Sequence, residues 1–200
     1  MASRSRQQLE EWIRKLELHG RVLDVGGSQN PIWKRGICEE SNVTILDLLS
    51  PHEGANRPDL GMDINTNGMR MAMSPKGTKA VEESFDVATC FEVMEYVWNP
   101  YQALMNIRSM LKKGGILYIS FHWLYGLHPP ENQDCLRYTE YAIEKLMKSS
   151  GFEILDMEVK ELTPEGEKML EQFYVQEGMR VDRYDRSRFD EGYLVTAKKI

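Results

Sequence analysis

Apolar residues first recur at helical spacing. Leu9, Trp12, Ile13 and Leu16 fall on one face of the segment 7–18, and Gly20 can end it, so an amphipathic helix is expected to open the chain. The period then changes. Residues 21–25 are a short apolar run closed by a glycine-rich turn, which reads as a strand, and Asn30-Pro31 can cap and open a helix behind it. A second strand is expected over 42–46, closed by Asp47. Residues 50–84 are irregular, rich in Pro, Gly and Asn, with one short strand candidate at 61–64. Residues 85–91 form a clear strand. Asn99-Pro100 then opens a helix whose apolar stripe is Ala103, Leu104, Ile107, Met110 and Leu111. A turn at 112–115 ends that helix, and 115–121 is another buried strand. Helix 139–149 stops at Gly151. Strands are expected over 152–160 and 192–198, with a helix capped by Thr163 and opened by Pro164 between them.

Alternating strands and helices predict a mainly parallel α/β sheet covered on both faces. The 200 residues, 42% of them apolar, suit one domain over 1–200. Its N-terminal helix occupies 1–20, and an insertion at 161–190 separates the last two strands. No apolar run approaches the roughly 20 residues that span a bilayer, and the charged start lacks the apolar centre of a signal peptide. A cytoplasmic protein with no membrane partner is therefore expected. Cys38, Cys90 and Cys135 are scattered and form no CxxC pair, so neither disulfides nor a metal site is expected. The net charge of −6 argues against a broad grip on nucleic acid. Arg180, Arg183, Arg186 and Arg188 are interleaved with Asp182, Asp185, Asp190 and Glu191, the pattern of a self-paired surface.

In sheets of this kind, ligands bind at the carboxyl ends of the strands, near the switch in strand order. Candidate motifs stand at those positions. Asp24-Val25-Gly26-Gly27-Ser28-Gln29-Asn30-Pro31 joins a strand to a helix. Its glycines let backbone approach a ligand, and Asp24 can orient the turn or accept from an ammonium group. Asp47 ends the next strand about 20 residues on, where a carboxylate can accept ribose hydroxyls. Met62-Asp63-Ile64-Asn65 pairs a carboxylate, suited to an adenine amino group, with an aliphatic residue that can cover the ring. Strand 85–91 runs into Glu92-Val93-Met94-Glu95-Tyr96, and Leu111-Lys112-Lys113-Gly114-Gly115 precedes the next strand.

In order and spacing this set resembles the class I S-adenosylmethionine (SAM)-dependent methyltransferases, from about residue 21 to residue 152. The resemblance implies a doubly wound Rossmann-like sheet whose last strand is antiparallel, with SAM as cofactor and S-adenosylhomocysteine as product. It places the methionine part at Asp24, Gly26, Gly27, Ser28 and Asn30, and the ribose at Asp47 and Leu48. The adenine falls to Asp63 and Ile64, with backbone contacts from Cys90, Phe91 and Glu92. Two departures stand out. Ser28 and Asn30 replace the usual second and third glycines, and the family's Glu-His pair is Glu95-Tyr96 here.

The stretch 122–139 resembles the His-Pro…Asp…Arg-(Phe/Tyr)-Thr segment of a methyltransferase subgroup often met near cell-envelope glycan genes. Methyl transfer relies on positioning, because the cofactor carries its own leaving group. An oxygen or nitrogen nucleophile can also need a proton removed, and His128 and His122 are the candidates for that base. Both can equally shape the loop. Trp123, Tyr125 and Tyr138 can form an aromatic wall or pack in the core, and Arg137 can pair with Asp134. The expected acceptor is an unidentified small molecule or glycan. A non-catalytic SAM-binding or partner-binding descendant, and an NAD-dependent oxidoreductase, are the alternatives.

Overall fold

The computed structural model describes residues 3–50, 54–66, 71–74, 77–80, 82–178 and 190–200. The elements run α1 (Arg4–Ile13), β1 (Val22–Val25), β2 (Val43–Asp47), β3 (Leu60–Gly61), β4 (Met71–Ser74), β5 (Gly77–Ala80), β6 (Phe85–Cys90), α2 (Pro100–Met110), β7 (Leu111–His122), α3 (Glu140–Ser149), β8 (Phe152–Glu161), α4 (Pro164–Gln176) and β9 (Asp190–Lys199). They build one sheet in the order β5-β4-β3-β2-β1-β6-β7-β9-β8. Strands β3, β2, β1, β6 and β7 are parallel neighbours, and β9 runs against both β7 and β8. The expected mainly parallel, doubly wound sheet with a reversed last strand is therefore present.

Period-two alternation sorts the side chains to two faces. Leu23, Ala88, Leu117, Ile119 and Val195 join Leu104 and Ile107 of α2 and Ile143 and Met147 of α3. Val22, Val87, Tyr118 and Leu194 face the other way, onto Leu9, Trp12 and Ile13 of α1. Leu9 and Ile13 are fully buried, each stabilising the fold by about 1.5–3 kcal/mol. The caps read from the sequence are in place: Asn99, Thr139 and Thr163 each accept a backbone N–H in the first turn of α2, α3 and α4.

Several boundaries differ from expectation. Helix α1 starts at Arg4, because Ser3 caps it, and ends at Ile13, where Lys15 and Leu16 close short turns onto Trp12 and Ile13. Asn30-Pro31 opens a 3₁₀ turn, Ile32–Arg35, rather than an α-helix; left-handed Gly36 stops it within one turn. The glycines at 114–115 do not separate a turn from a strand. Strand β7 begins at Leu111 and passes through them as an irregularity in its pairing with β6. The antiparallel pair β4–β5 was not expected at all and extends the sheet edge beyond β3.

Of the 161–190 insertion, the described part is dominated by α4, which has no buried residue and exposes Met169 and Phe173. Residues 179–189, including the Arg180–Arg188 cluster, lie outside the described residues. No helix among the described residues is long and apolar enough to cross a membrane.

Candidate active site

The chain leaves β1, builds the sheet outward through β2 and β3, and returns to β6 on β1's other side. At that switch a cavity of about 1130 Å³ opens at the carboxyl ends of β1, β2 and β6. Small-ligand sites span roughly 300–1,000 Å³, so the space suits a nucleoside-sized molecule together with a second one.

The glycine turn forms one wall. Gly26 sits at φ +74, and a Cβ on it would lie 2.3 Å from Val93 Cγ2. A Cβ on Gly27 would lie 2.2 Å from Asp24 Oδ2. Both positions therefore exclude side chains. Asp24 organises the turn: its Oδ2 accepts from Ile32 N–H at 2.7 Å and its Oδ1 from Thr89 Oγ1 at 2.7 Å. Burial pushes its carboxyl up to about 6, against those two hydrogen bonds. Ser28 is fully buried, and its hydroxyl has no hydrogen-bond partner among the described residues, leaving a polar group on the wall for a ligand.

Asp47 is half-buried at the end of β2, where it accepts from Ser28 N–H at 3.2 Å and Leu48 N–H at 2.8 Å. Each carboxylate oxygen retains accepting capacity. Asp63 Oδ1 is held by the backbone and side-chain amides of Asn65, both at 2.9 Å, and buried Ile64 lines the cavity beside it. Asn30, Leu48, Phe91 and Glu92 also line the space. Cys90 does not; it is fully buried in the core.

At Glu92 the backbone adopts φ 56, a left-handed conformation that costs a non-glycine residue about 1–3 kcal/mol. Ser120 Oγ helps hold it there, accepting from Glu92 N–H at 2.9 Å. The Glu92 side chain lies 3.1 Å from His122 Nε2 through Oε2 and 3.3 Å from Lys160 Nζ through Oε1. Burial favours the neutral acid, but His122 and Lys160 outweigh it and hold Glu92 at about 2. Burial disfavours a charge on His122, but Glu92 and Glu95 raise its pKa.

The two histidines occupy different places. His128 is part-exposed and lines the cavity. Its Nδ1 lies 3.0 Å from Glu95 Oε1 and 2.6 Å from the Tyr96 hydroxyl. His122, at 1% exposure, is not part of the lining; it stacks on Tyr125 with ring centroids 4.3 Å apart. The carrier loop is pinned: Asp134 accepts His128 N–H at 2.6 Å and pairs with both terminal nitrogens of Arg137, as the sequence suggested. Cys135 and Leu136 donate to the Glu95 carbonyl at 2.8 and 3.1 Å, tying the loop to the segment after β6. The expected aromatic wall is differently composed. Tyr138 packs on Phe121 in the core, whereas Phe91, Tyr96 and Trp98 line the cavity. Met169, Leu170, Phe173 and Tyr174 of α4 line none of it.

Fold and cavity together define a class I SAM-dependent methyltransferase architecture. A family profile described as "Methyltransferase domain" matches residues 1–157, and the chain belongs to that family. Among curated proteins, it is 30% identical over 104 residues to the ubiquinone biosynthesis O-methyltransferase of Histophilus somni, covering 50% of this chain and 44% of that one. It is 25% identical over 156 residues to a highly reducing polyketide synthase of Emericella nidulans, covering 70% of this chain and 6% of the synthase. The chain thus spans less than half the length of these curated relatives. Among solved structures, a SAM-dependent methyltransferase from Mesorhizobium loti matches with TM-score 0.60 and 16% identity over 98% of both chains. The 1,6-didemethyltoxoflavin-N1-methyltransferase of Burkholderia thailandensis, with bound S-adenosylhomocysteine, matches with TM-score 0.59 and 16% identity, over 98% of this chain and 78% of that one.

Proposed function

We propose that the chain moves the methyl group of SAM to an oxygen or nitrogen of a small-molecule or glycan acceptor. The observation that carries this reading is the cavity's two-sided lining. The glycine turn, Asp47, Asp63 and Ile64 stand on one side, and His128 with Tyr96 on the other. In this reading Gly26, Gly27, Ser28 and Asn30 meet the methionine part and Asp47 accepts the ribose hydroxyls. Asp63 and Ile64 take the adenine, and Asp24 acts through the turn. The relatives support both acceptor atoms, since one is an O-methyltransferase and another an N1-methyltransferase.

SAM supplies an electrophilic methyl with its own leaving group. What remains for the chain is to align the acceptor and take its proton. The neighbours of His128 favour that role. The Tyr96 hydroxyl has one proton and lies 2.7 Å from the Pro129 carbonyl, which can only accept. The hydroxyl therefore donates to Pro129, and its oxygen, with Glu95 Oε1, receives the His128 Nδ1–H. The lone pair is left on Nε2. His122, buried away from the cavity, supports this arrangement rather than serving as the base. Titration calorimetry tests the cofactor half: SAM and S-adenosylhomocysteine should bind and NAD should not. NAD binding without SAM binding would overturn the reading.

A further inference from the structure

Lys160 has no part in the reading above, yet it is fully buried, an expensive place for an ammonium group. Its route there is built into three strands. Lys160 on β8 pairs with Gly192 on β9, and Gly192 pairs with His122 on β7. A Cβ on Gly192 would lie 3.0 Å from Lys160 Cε and 2.3 Å from the Phe121 carbonyl oxygen. The lysine thus crosses β9 over the one residue type that lets it pass. It ends 3.3 Å from Glu92 Oε1 and 3.4 Å from His122 Nδ1.

We infer that Lys160 is a positioning residue for His128: it fixes His122 in its uncharged Nε2–H form, so that the negative charge of Glu95 is left to orient the imidazole that meets the acceptor. This rests on the His128 reading given under Proposed function. An ammonium group only donates, so the His122 nitrogen facing it must present a lone pair. The single ring proton then sits on Nε2. That nitrogen lies 3.1 Å from Glu92 Oε2 and 3.4 Å from Glu95 Oε1, aimed between them and well aligned with neither. Glu92 and Glu95 together pull toward a second proton on His122, but its N–H would face the ammonium with no acceptor. Charge follows the same logic. Lys160 offsets one of the two carboxylates, and the remaining negative charge stands beside His128, where it stabilises the imidazolium formed on proton uptake. Without Lys160, a doubly protonated His122 would carry the positive charge itself and offset the Glu95 carboxylate that serves His128.

Glu95, His122 and His128 also offer ligand atoms within 4.8 Å of one another, a spacing that a divalent cation can use. A neutral imidazole bound to metal through one nitrogen carries its proton on the other, which then needs an acceptor. At His122 that proton would meet Lys160. The outer contacts therefore favour the hydrogen-bonded chain over a metal centre.

Long-range proton–nitrogen spectra of ¹⁵N-histidine-labelled full chain, with S-adenosylhomocysteine present near neutral pH, test this directly. The expected wild-type pattern is His122 protonated at Nε2 alone and His128 at Nδ1 alone. Lys160→Met should give His122 two protonated nitrogens and disturb the His128 signals. A doubly protonated His122 in the wild type would overturn the inference whether or not the variant folds. So would an unchanged His122 in the variant. Added Mn²⁺ that broadens both histidines at micromolar concentration would assign the cluster to a metal instead. The base reading fails separately, if His128→Ala transfers methyl at full rate while the wild-type pattern is as expected.

Discussion

Asp24 spends both oxygens on the glycine turn, and burial raises its carboxyl from 3.8 to about 6. At about pH 3 and below the group is largely protonated in both states and carries almost no penalty. As pH rises toward 6 and above, the unfolded chain gives up its proton more readily, and the fold loses up to about 3 kcal/mol. Asn in its place can accept from Ile32 and donate to Thr89 without a charge. Asp24→Asn should therefore unfold at higher urea than the wild type at pH 7, with the gap closing by about pH 3; a gap independent of pH would argue against it. Asp47 is the opposite kind of residue, half-exposed with capacity to spare. A hydrogen bond to a charged group is worth about 1.5–3 kcal/mol. Asp47→Ala should weaken SAM roughly ten- to a hundredfold by calorimetry, with the free protein still folding although the Ser28 and Leu48 N–H groups lose their acceptor. His128→Ala should lower single-turnover transfer by on the order of 10²–10⁴, once an acceptor is in hand, with SAM affinity nearly unchanged. A variant with full rate would rule out the base role and leave substrate positioning, or His122, as the account of catalysis.

Among the elements, the crossing at Gly192 makes the firmest demand. Gly192→Ala forces a methyl against the Phe121 carbonyl and the Lys160 side chain. We expect a loss of about 1–3 kcal/mol in urea unfolding, the usual range for overpacking, and a disturbed His122 signal. A neutral substitution would mean that β9 can shift without cost. This site was illegible in the sequence for a physical reason. A lysine in a strand reads as solvent-facing, and nothing local says that a glycine on the neighbouring strand, distant in sequence, gives it passage. The cofactor wall was legible because its chemistry is local: one strand end, one turn and one carboxylate are each contiguous in the chain. Glu92 and Phe91 line the cavity because they lie past the end of β6, whereas Cys90 is still inside the strand and buried in the core. Tyr96 looked like a lost histidine, and only the returning loop reveals that it meets His128. The β4–β5 pair lacked clear alternation, and the 3₁₀ turn after Pro31 was too short to tell from a helix start.

At the scale of the whole molecule, the sheet order was readable from the alternation of elements, and the two faces from period-two burial. If the cavity is the cofactor site, ligand binding must be coupled to global stability. Saturation at a hundred times the dissociation constant adds about 2.7 kcal/mol. For a chain of this size that is roughly 5–10 °C in melting temperature. S-adenosylhomocysteine should produce that shift and NAD none, as read by differential scanning fluorimetry. The cavity's two sides also differ in how they are wired. The cofactor side is made by the ends of β1, β2 and β6, while the His128 loop is lashed by backbone hydrogen bonds to the segment carrying Glu95 and Tyr96. On the proposed reading, acceptor preference should therefore travel with a pair of segments. A chimera that imports the 123–137 loop from another methyltransferase should work only when it imports residues 92–97 with it, and the cofactor half can be handed down unchanged.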